Sequence, residues 1–212
     1  MRITVIGATG RTGVHVLTQA LDEGHEVVAL VRTPEKLVHH EGALRVARGD
    51  ATNSDDVAAA VAGADAVIMA AGPTRNGPRT MLVDASRAVV SAMTRTGCTR
   101  IIWLTGAAVT DERDGRAFSR SVVRGIMKIL AGDVLASSEE ACRIIRSSGL
   151  DYTIVRPPML SDKPGGIGLT AGYEPPRPVP VGRADLARFL LAAATEGTWV
   201  GGSPFVSYAS RK

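Results

Sequence analysis

Two rhythms alternate along this chain. Short runs that are apolar at nearly every position give way to longer stretches whose apolar residues fall three and four apart. Ile3 to Ile6 is the first such run, and Val14 to Leu21 is the first stretch with helical spacing. Glu26 to Val31 and Leu44 to Ala47 read as the next strands, the latter closed by Gly49-Asp50. Ser54 to Val61 reads as a helix capped by Ser54, with Asp55 and Asp56 set against the dipole in its first turn. Ala66 to Ala70, Ile101 to Leu104 and Tyr152 to Val155 are further strands, closed by Gly72-Pro73, Thr105-Gly106 and Arg156-Pro157-Pro158. Helices are expected over Thr80 to Thr96, Val134 to Ser147 and Ala184 to Thr195, with a last strand over Phe205 to Tyr208. Fully apolar strands separated by helices belong to a parallel sheet covered on both faces. Right-handed crossovers make that sheet doubly wound. The expected fold class is α/β: one Rossmann-type domain over residues 1–212 with a mostly parallel sheet. Its substrate-side loops are expected at about 106–133 and 159–182. Ser161 to Val181 is rich in Gly and Pro, the composition of a long connection that often serves as a lid or binding loop.

Gly7-Ala8-Thr9-Gly10-Arg11-Thr12-Gly13 joins the first strand to the first helix. Strand, glycine turn, helix is the context in which this spacing of glycines binds a dinucleotide. Gly7 permits the tight turn, Gly10 lets the backbone approach a pyrophosphate, and Gly13 lets the helix pack on the strand. The amides and the positive end of the helix then face the phosphates.

The end of the second strand selects the cofactor. An NAD site places an acid there for the ribose hydroxyls. This chain has Val31-Arg32-Thr33, with Lys36 just beyond. Arg32 and Lys36 suit a 2′-phosphate, and Arg11 can approach the same group. Glu26 stands at the start of the strand, where it cannot reach a ribose. The expected cofactor is NADPH. In such a sheet the ligand lies beyond the carboxyl ends of the strands. Those ends supply Asp50, beside the adenine or as a helix cap, and the neighbouring Ala51. They also supply the backbone of Ala70, Ala71 and Gly72, the hydroxyl of Thr105 on the nicotinamide side, and the backbone of Pro157 near the carboxamide.

Composition narrows the rest. Hydrophobic residues make up 45% and aromatics only 4%, so the core must be aliphatic. Trp103, inside a strand, is expected in that core and could report cofactor binding by fluorescence. The net charge of +4 suits a polyanionic dinucleotide, and no recognition motif for nucleic acid accompanies it. Cys98 and Cys142 lack metal-ligand spacing and read as reduced thiols of a cytoplasmic protein. His15, His25, His39 and His40 do not cluster with acids or cysteines, so no metal is expected. The N-terminus is already strand and glycine turn, so no secretory signal is expected ahead of it. No apolar run approaches the ~18 residues of a membrane helix. Arg116, Arg120, Arg124 and Lys128 recur at i, i+4 and form one helical face. That face is either a solvated surface or a mobile basic cover over an anionic acceptor such as FMN. Glu139 and Glu140 read as helix surface.

The glycine turn, Val31-Arg32-Thr33-Pro34-Glu35-Lys36, Gly49-Asp50, Leu104-Thr105-Gly106 and Asp151-Tyr152-Thr153-Ile154-Val155-Arg156-Pro157-Pro158 run in an order similar to that of the atypical short-chain dehydrogenases. More narrowly, the chain resembles their NAD(P)H-binding, NmrA-like group, which includes the biliverdin/flavin reductases. The resemblance implies a Rossmann domain that binds NADPH and reduces flavins or other planar conjugated acceptors. It implies Gly7, Thr9, Gly10, Arg11 and Thr12 on the pyrophosphate side and Arg32 and Lys36 on the 2′-phosphate. It places Asp50 by the adenine, with Thr105 and Pro157 by the nicotinamide. Two departures fall on the acceptor side. The flavin reductase pattern has a serine where this chain has Gly106, and a histidine where it has Met159.

The short-chain dehydrogenase acid, Tyr-x-x-x-Lys, is matched literally by Tyr208 to Lys212, but at the C-terminal tail, which is expected to fray. No tyrosine lies between Thr105 and Gly149, where the helix bearing that motif would fall. Hydride delivered to a carbonyl leaves an alkoxide that wants a positioned acid. Hydride delivered to a flavin or quinone leaves a delocalised anion that solvent can protonate. The chain therefore reads as an NADPH-dependent reductase of a planar acceptor, with Thr105 in an orienting role. The alternatives are a non-catalytic NADP(H)-binding sensor and an isomerase or carbonyl reductase. A monomer or weak homodimer is expected.

Overall fold

The computed structural model describes the chain outside residues 38–42, 75–76, 116–117, 164, 166–167, 177 and 210–212, and gives 118–131 as helical backbone alone. Six parallel strands form the central sheet: β1 (Arg2–Ile6), β2 (Glu26–Val31), β3 (Leu44–Arg48), β4 (Ala66–Met69), β5 (Arg100–Leu104) and β6 (Asp151–Val155). Their spatial order is β3-β2-β1-β4-β5-β6. The chain reverses direction across the sheet between β1 and β4, and a crevice opens there beyond the strand ends. The doubly wound Rossmann expectation holds.

The two-residue period of each strand divides the core. Val28 and Leu30 of β2 and Val67 and Met69 of β4 face one layer, with α2 (Ser54–Val61), α3 (Met81–Thr96) and α4 (Phe118–Arg146). Val27, Ala29 and Val31 of β2 and Ala66 and Ile68 of β4 face the other, with α1 (Gly13–Asp22) and α5 (Arg183–Thr195). Strands buried on both faces have no polar side to show, which is why their sequences read as unbroken apolar runs. Trp103 is 1% exposed and sits in the first layer, as expected.

Four expectations need correction. The cap of α2 is Asn53, whose side chain accepts from the amides of Asp55 and Asp56; Ser54 is the first helical residue. The helix expected from Val134 begins at Phe118, so much of the 106–133 loop is helix. Gly132 does not break α4, because packing on α3 outweighs the ~1 kcal/mol that a helical glycine costs. The Gly/Pro-rich connection is partly ordered as β7 (Leu160–Ser161), β8 (Leu169–Gly172) and β9 (Val181–Gly182), with β7 and β9 paired. Finally, the last strand, β10 (Phe205–Tyr208), pairs antiparallel with β8, and its Phe205 bridges Arg156 just beyond β6. Tyr208 is therefore an ordered strand residue and not part of a frayed tail.

A buried ion pair fixes the segment after β5. Arg156 is fully buried and donates to Asp114 at 2.9 and 2.5 Å, to the Val109 carbonyl at 2.7 Å and to the Ser203 carbonyl at 2.7 Å. Its guanidinium stacks 4.0 Å from the Phe205 ring centroid. Asp111, beside it, is bound by Arg113 and approached by Arg146 at 3.6 Å. Among the described residues no helix is long and apolar enough to cross a membrane.

Candidate functional site

A cleft of ≈ 820 Å³ runs along the carboxyl ends of the strands. That volume lies in the ~300–1,000 Å³ range of small-molecule and cofactor sites. Its floor is the glycine turn. Gly7 has φ +87°, and a Cβ there would lie 2.6 Å from the Ala71 amide nitrogen. A Cβ on Gly13 would lie 2.0 Å from the Gly7 carbonyl oxygen, so α1 reaches β1 only because position 13 has no side chain. A Cβ on Gly10 would crowd the same oxygen at 3.0 Å. Thr12 makes no side-chain cap on α1. The Val14 and His15 amides donate to the Gly10 and Thr12 carbonyls at 3.0 and 3.1 Å, so what α1 offers an anion is the positive end of its dipole and the turn ahead of it.

Thirteen of the expected residues line this one cleft: Gly7, Thr9, Gly10, Arg11, Thr12, Arg32, Lys36, Asp50, Ala51, Ala70, Ala71, Gly72 and Thr105. Gly13 and Pro157 do not. Gly13 is buried beneath the turn, in the packing role foreseen for it. Pro157 is buried, and its carbonyl accepts from the Ala107 amide at 3.0 Å, which braces the segment after β5. Trp103 is also absent from the wall, so its fluorescence has no direct view of a ligand.

At the β2 end, Arg32 and Lys36 are exposed and form no direct ion pair among the described residues. Glu26 is at the opposite end of β2, paired with Arg2 at 3.0 Å. Asp50 does not cap α2. It accepts from the Thr52 amide at 2.9 Å and the Thr52 hydroxyl at 2.8 Å. Those bonds, the backbone one foremost, with help from nearby Arg32, hold its carboxyl below the usual range.

The other half of the cleft is mostly apolar. Met81 and Leu82 of α3, Val134 and Leu135 of α4, and Leu160 of β7 line the cleft with Thr105 and Gly106, with Ser138 as a further hydroxyl and Asp84 as a carboxylate. The α4 residues described on this wall are Val134, Leu135 and Ser138, none of them Tyr or Lys. The Thr105 amide donates to the Val155 carbonyl at 3.0 Å, and its hydroxyl reaches the Cys142 thiol. Burial, only partly offset by Arg146 and Thr105, pushes that thiol up to about 12, so it stays protonated and inert as a nucleophile. The literal Tyr208 match is occupied elsewhere: its hydroxyl donates to Asp185 at 2.6 Å and accepts from the Gly182 amide at 2.9 Å. Lys212, like His39, His40, Arg116 and the side chains of Arg120, Arg124 and Lys128, lies outside the described residues. No group of three or more potential metal ligands occurs among the described residues.

Two residues were missed. Arg183, at the start of α5, lines the cleft and pairs with Asp162 at 2.7 Å. Asp162 also binds Arg11. The overlooked signal was local: a basic residue at the first position of a helix opposes the dipole, so it needs another reason to be there.

The model of the NAD(P)H-binding family matches residues 7–197, and the chain belongs to that family. It is 28% identical over 203 residues to an uncharacterized sugar epimerase, YhfK, of Bacillus subtilis, covering 92% of this chain and 89% of that one. Its fold is similar to ChuY, an anaerobillin reductase from Escherichia coli O157:H7, at TM-score 0.83 and 24% identity, over 100% of this chain and 99% of that one. It is also similar to a short-chain dehydrogenase/reductase of Veillonella parvula solved in complex with NADP, at TM-score 0.73 and 19% identity, over 99% and 95% of the two chains.

Proposed function

We propose that this protein is an NADPH-dependent reductase of flavins, quinones or similar planar conjugated acceptors. The observation that carries the reading is a cleft with two unlike halves. Its glycine-turn half is basic and built on a turn that only glycine can occupy, with Arg32 and Lys36 at the β2 end where an acid would favour NADH. Its other half is a slot walled by Met81, Leu82, Val134, Leu135 and Leu160. NADPH, when bound, supplies a hydride from nicotinamide C4.

The chain's residues do the remainder. Gly7, Thr9, Gly10 and Thr12 cradle the pyrophosphate, Arg32 and Lys36 hold the 2′-phosphate, and Asp50 and Ala51 border the adenine. The backbone of Ala70, Ala71 and Gly72 flanks the middle of the cofactor. Thr105, fixed by β6 and Cys142, orients the nicotinamide side. The apolar walls align two ring systems and exclude water, which for a delocalised acceptor is most of the catalysis required. The described wall offers the hydroxyls of Thr105 and Ser138 and the Asp84 carboxylate, but no tyrosine beside a lysine to protonate an alkoxide, which disfavours ketone substrates.

Steady-state NADPH oxidation with FMN, riboflavin, small quinones and simple ketones tests the reading. Turnover with the conjugated acceptors and none with ketones is expected. Tight NADPH binding without turnover by any acceptor would favour a non-catalytic NADP(H) sensor, the reading the sparse polar wall supports next. Ketone-specific turnover would overturn both.

A further inference from the structure

Arg183 is 8% exposed, yet it lines the cleft beside the glycine turn. The residues on either side of it are held in place. The Gly182 amide donates to the Tyr208 hydroxyl at 2.9 Å, and that hydroxyl donates to Asp185 at 2.6 Å. Gln19 of α1 donates to the Ala184 carbonyl at 2.9 Å, tying the starts of α1 and α5 together. A fold that spends this much on placing one arginine against the dipole of its own helix places it for a reason.

The partner is built differently. Asp162 follows the two-residue strand β7, and its side chain is 58% exposed. One of its carboxylate oxygens accepts from Arg183 at 2.7 Å and the other from Arg11. A single exposed anion thus sits between two guanidiniums, one on the glycine turn and one on α5. The balance there is one positive charge in excess, and neither Thr12 nor Gly182 adds a side-chain cap to the helix it precedes. Two forks facing one carboxylate also match the oxygens of a phosphate.

We propose that Arg11 and Arg183 form a phosphate subsite at the glycine-turn wall of the cleft, and that Asp162 is a displaceable carboxylate that fills it until a phosphate arrives. The proposal rests on the reading of the cleft as a dinucleotide site. The phosphate comes either from the pyrophosphate of NADPH or from a phosphorylated acceptor such as FMN. In both cases the turn after β7 gives up its hold on the two arginines, and the ligand takes it over.

Arg183→Met and Asp162→Asn distinguish the possibilities, with melting curves and circular dichroism confirming that each variant folds. Calorimetry gives the NADPH affinity, steady-state kinetics gives KM for FMN and riboflavin, and thermal shift reports inorganic pyrophosphate. Loss of a charge-assisted fork is expected to cost about tenfold or more. If the phosphate is the cofactor's, Arg183→Met weakens NADPH by that factor and leaves the FMN-to-riboflavin ratio unchanged. If it is the acceptor's, the variant raises KM for FMN alone. Asp162→Asn is expected to tighten the same ligand several-fold, since it removes the competitor. A folded Arg183→Met that takes NADPH, FMN and pyrophosphate like the parent overturns the subsite, as does Asp162→Asn weakening the ligand as much as Arg183→Met. Should the parent bind pyrophosphate through Arg183 but not NADPH, the dinucleotide reading fails and the subsite stands. Should NADPH bind with both variants silent, the subsite alone fails.

Discussion

Arg32→Glu is the sharpest perturbation of cofactor choice. Arg32 follows the last residue of β2, is exposed on the cleft wall and has no direct ion-pair partner among the described residues, so replacing it removes no direct bond, only its pull on the nearby Asp50 carboxyl. A guanidinium about 4 Å from a phosphate gains about 1 kcal/mol at the dielectric of water and about 4 kcal/mol at an effective dielectric of 20. An exposed lip belongs toward the lower part of that range. The substitution removes this attraction and adds a repulsion of similar size, about 2–4 kcal/mol in total on NADPH. At 1.36 kcal/mol per tenfold, that is a loss of about 30- to 1,000-fold in affinity. NADH has no 2′-phosphate, and the introduced carboxylate can accept from its ribose hydroxyls, so NADH is expected to bind as well or slightly better. Calorimetry with both dinucleotides reads the ratio directly. The parent's preference for NADPH should also shrink between low and high salt, because the contact is at the surface. Equal weakening of both cofactors, or no change in either, would refute the assignment of Arg32 to the 2′-phosphate.

Gly13→Ala places a methyl 2.0 Å from the Gly7 carbonyl oxygen, on backbone that cannot yield cheaply, and is expected to lower stability by about 1–3 kcal/mol or more and to abolish NADPH binding, by melting and calorimetry. Arg156→Met leaves the Asp114 carboxylate buried without its guanidinium and should cost about 3–5 kcal/mol in denaturant unfolding, more than the double variant with Asp114→Asn. Asp111 gives a pH signature. Burial pushes its carboxyl up, but bonds from Arg113 and Ser203 outweigh this and hold it well below the usual range. A depressed folded value means its contribution is present above about pH 4 and is lost as pH falls further, so Asp111→Asn should flatten the acid limb of stability against pH. Thr105→Ala is expected to lower kcat while leaving the NADPH affinity near that of the parent, by kinetics and calorimetry.

What could be read in the sequence is what local physics decides. The glycine turn announces itself because position 7 requires a positive φ and position 13 tolerates no side chain. The charge at the end of β2 was legible because a Rossmann strand order fixes which residue stands on the cleft wall. Errors arose where distant parts of the chain decide. Asn53 displaced Ser54 as cap because both are good caps and only the backbone at position 53, with ψ 116°, is extended. The length of α4 depends on α3. The partner of β10 is β8, from a stretch whose composition reads as loop. Arg183 and Asp162 reach the glycine turn from far along the chain, and only the pairing of β7 with β9 brings them there.

The most direct test of the central claim is transfer of deuterium from NADPH carrying it at nicotinamide C4 to 5-deazariboflavin, a planar acceptor whose C5 keeps the label it receives. The account predicts that, with one of the two C4 stereoisomers, the protein moves deuterium from the nicotinamide to C5 of the acceptor, and that Arg32→Glu slows this transfer. Tight NADPH binding with no label in the acceptor from either stereoisomer would contradict it.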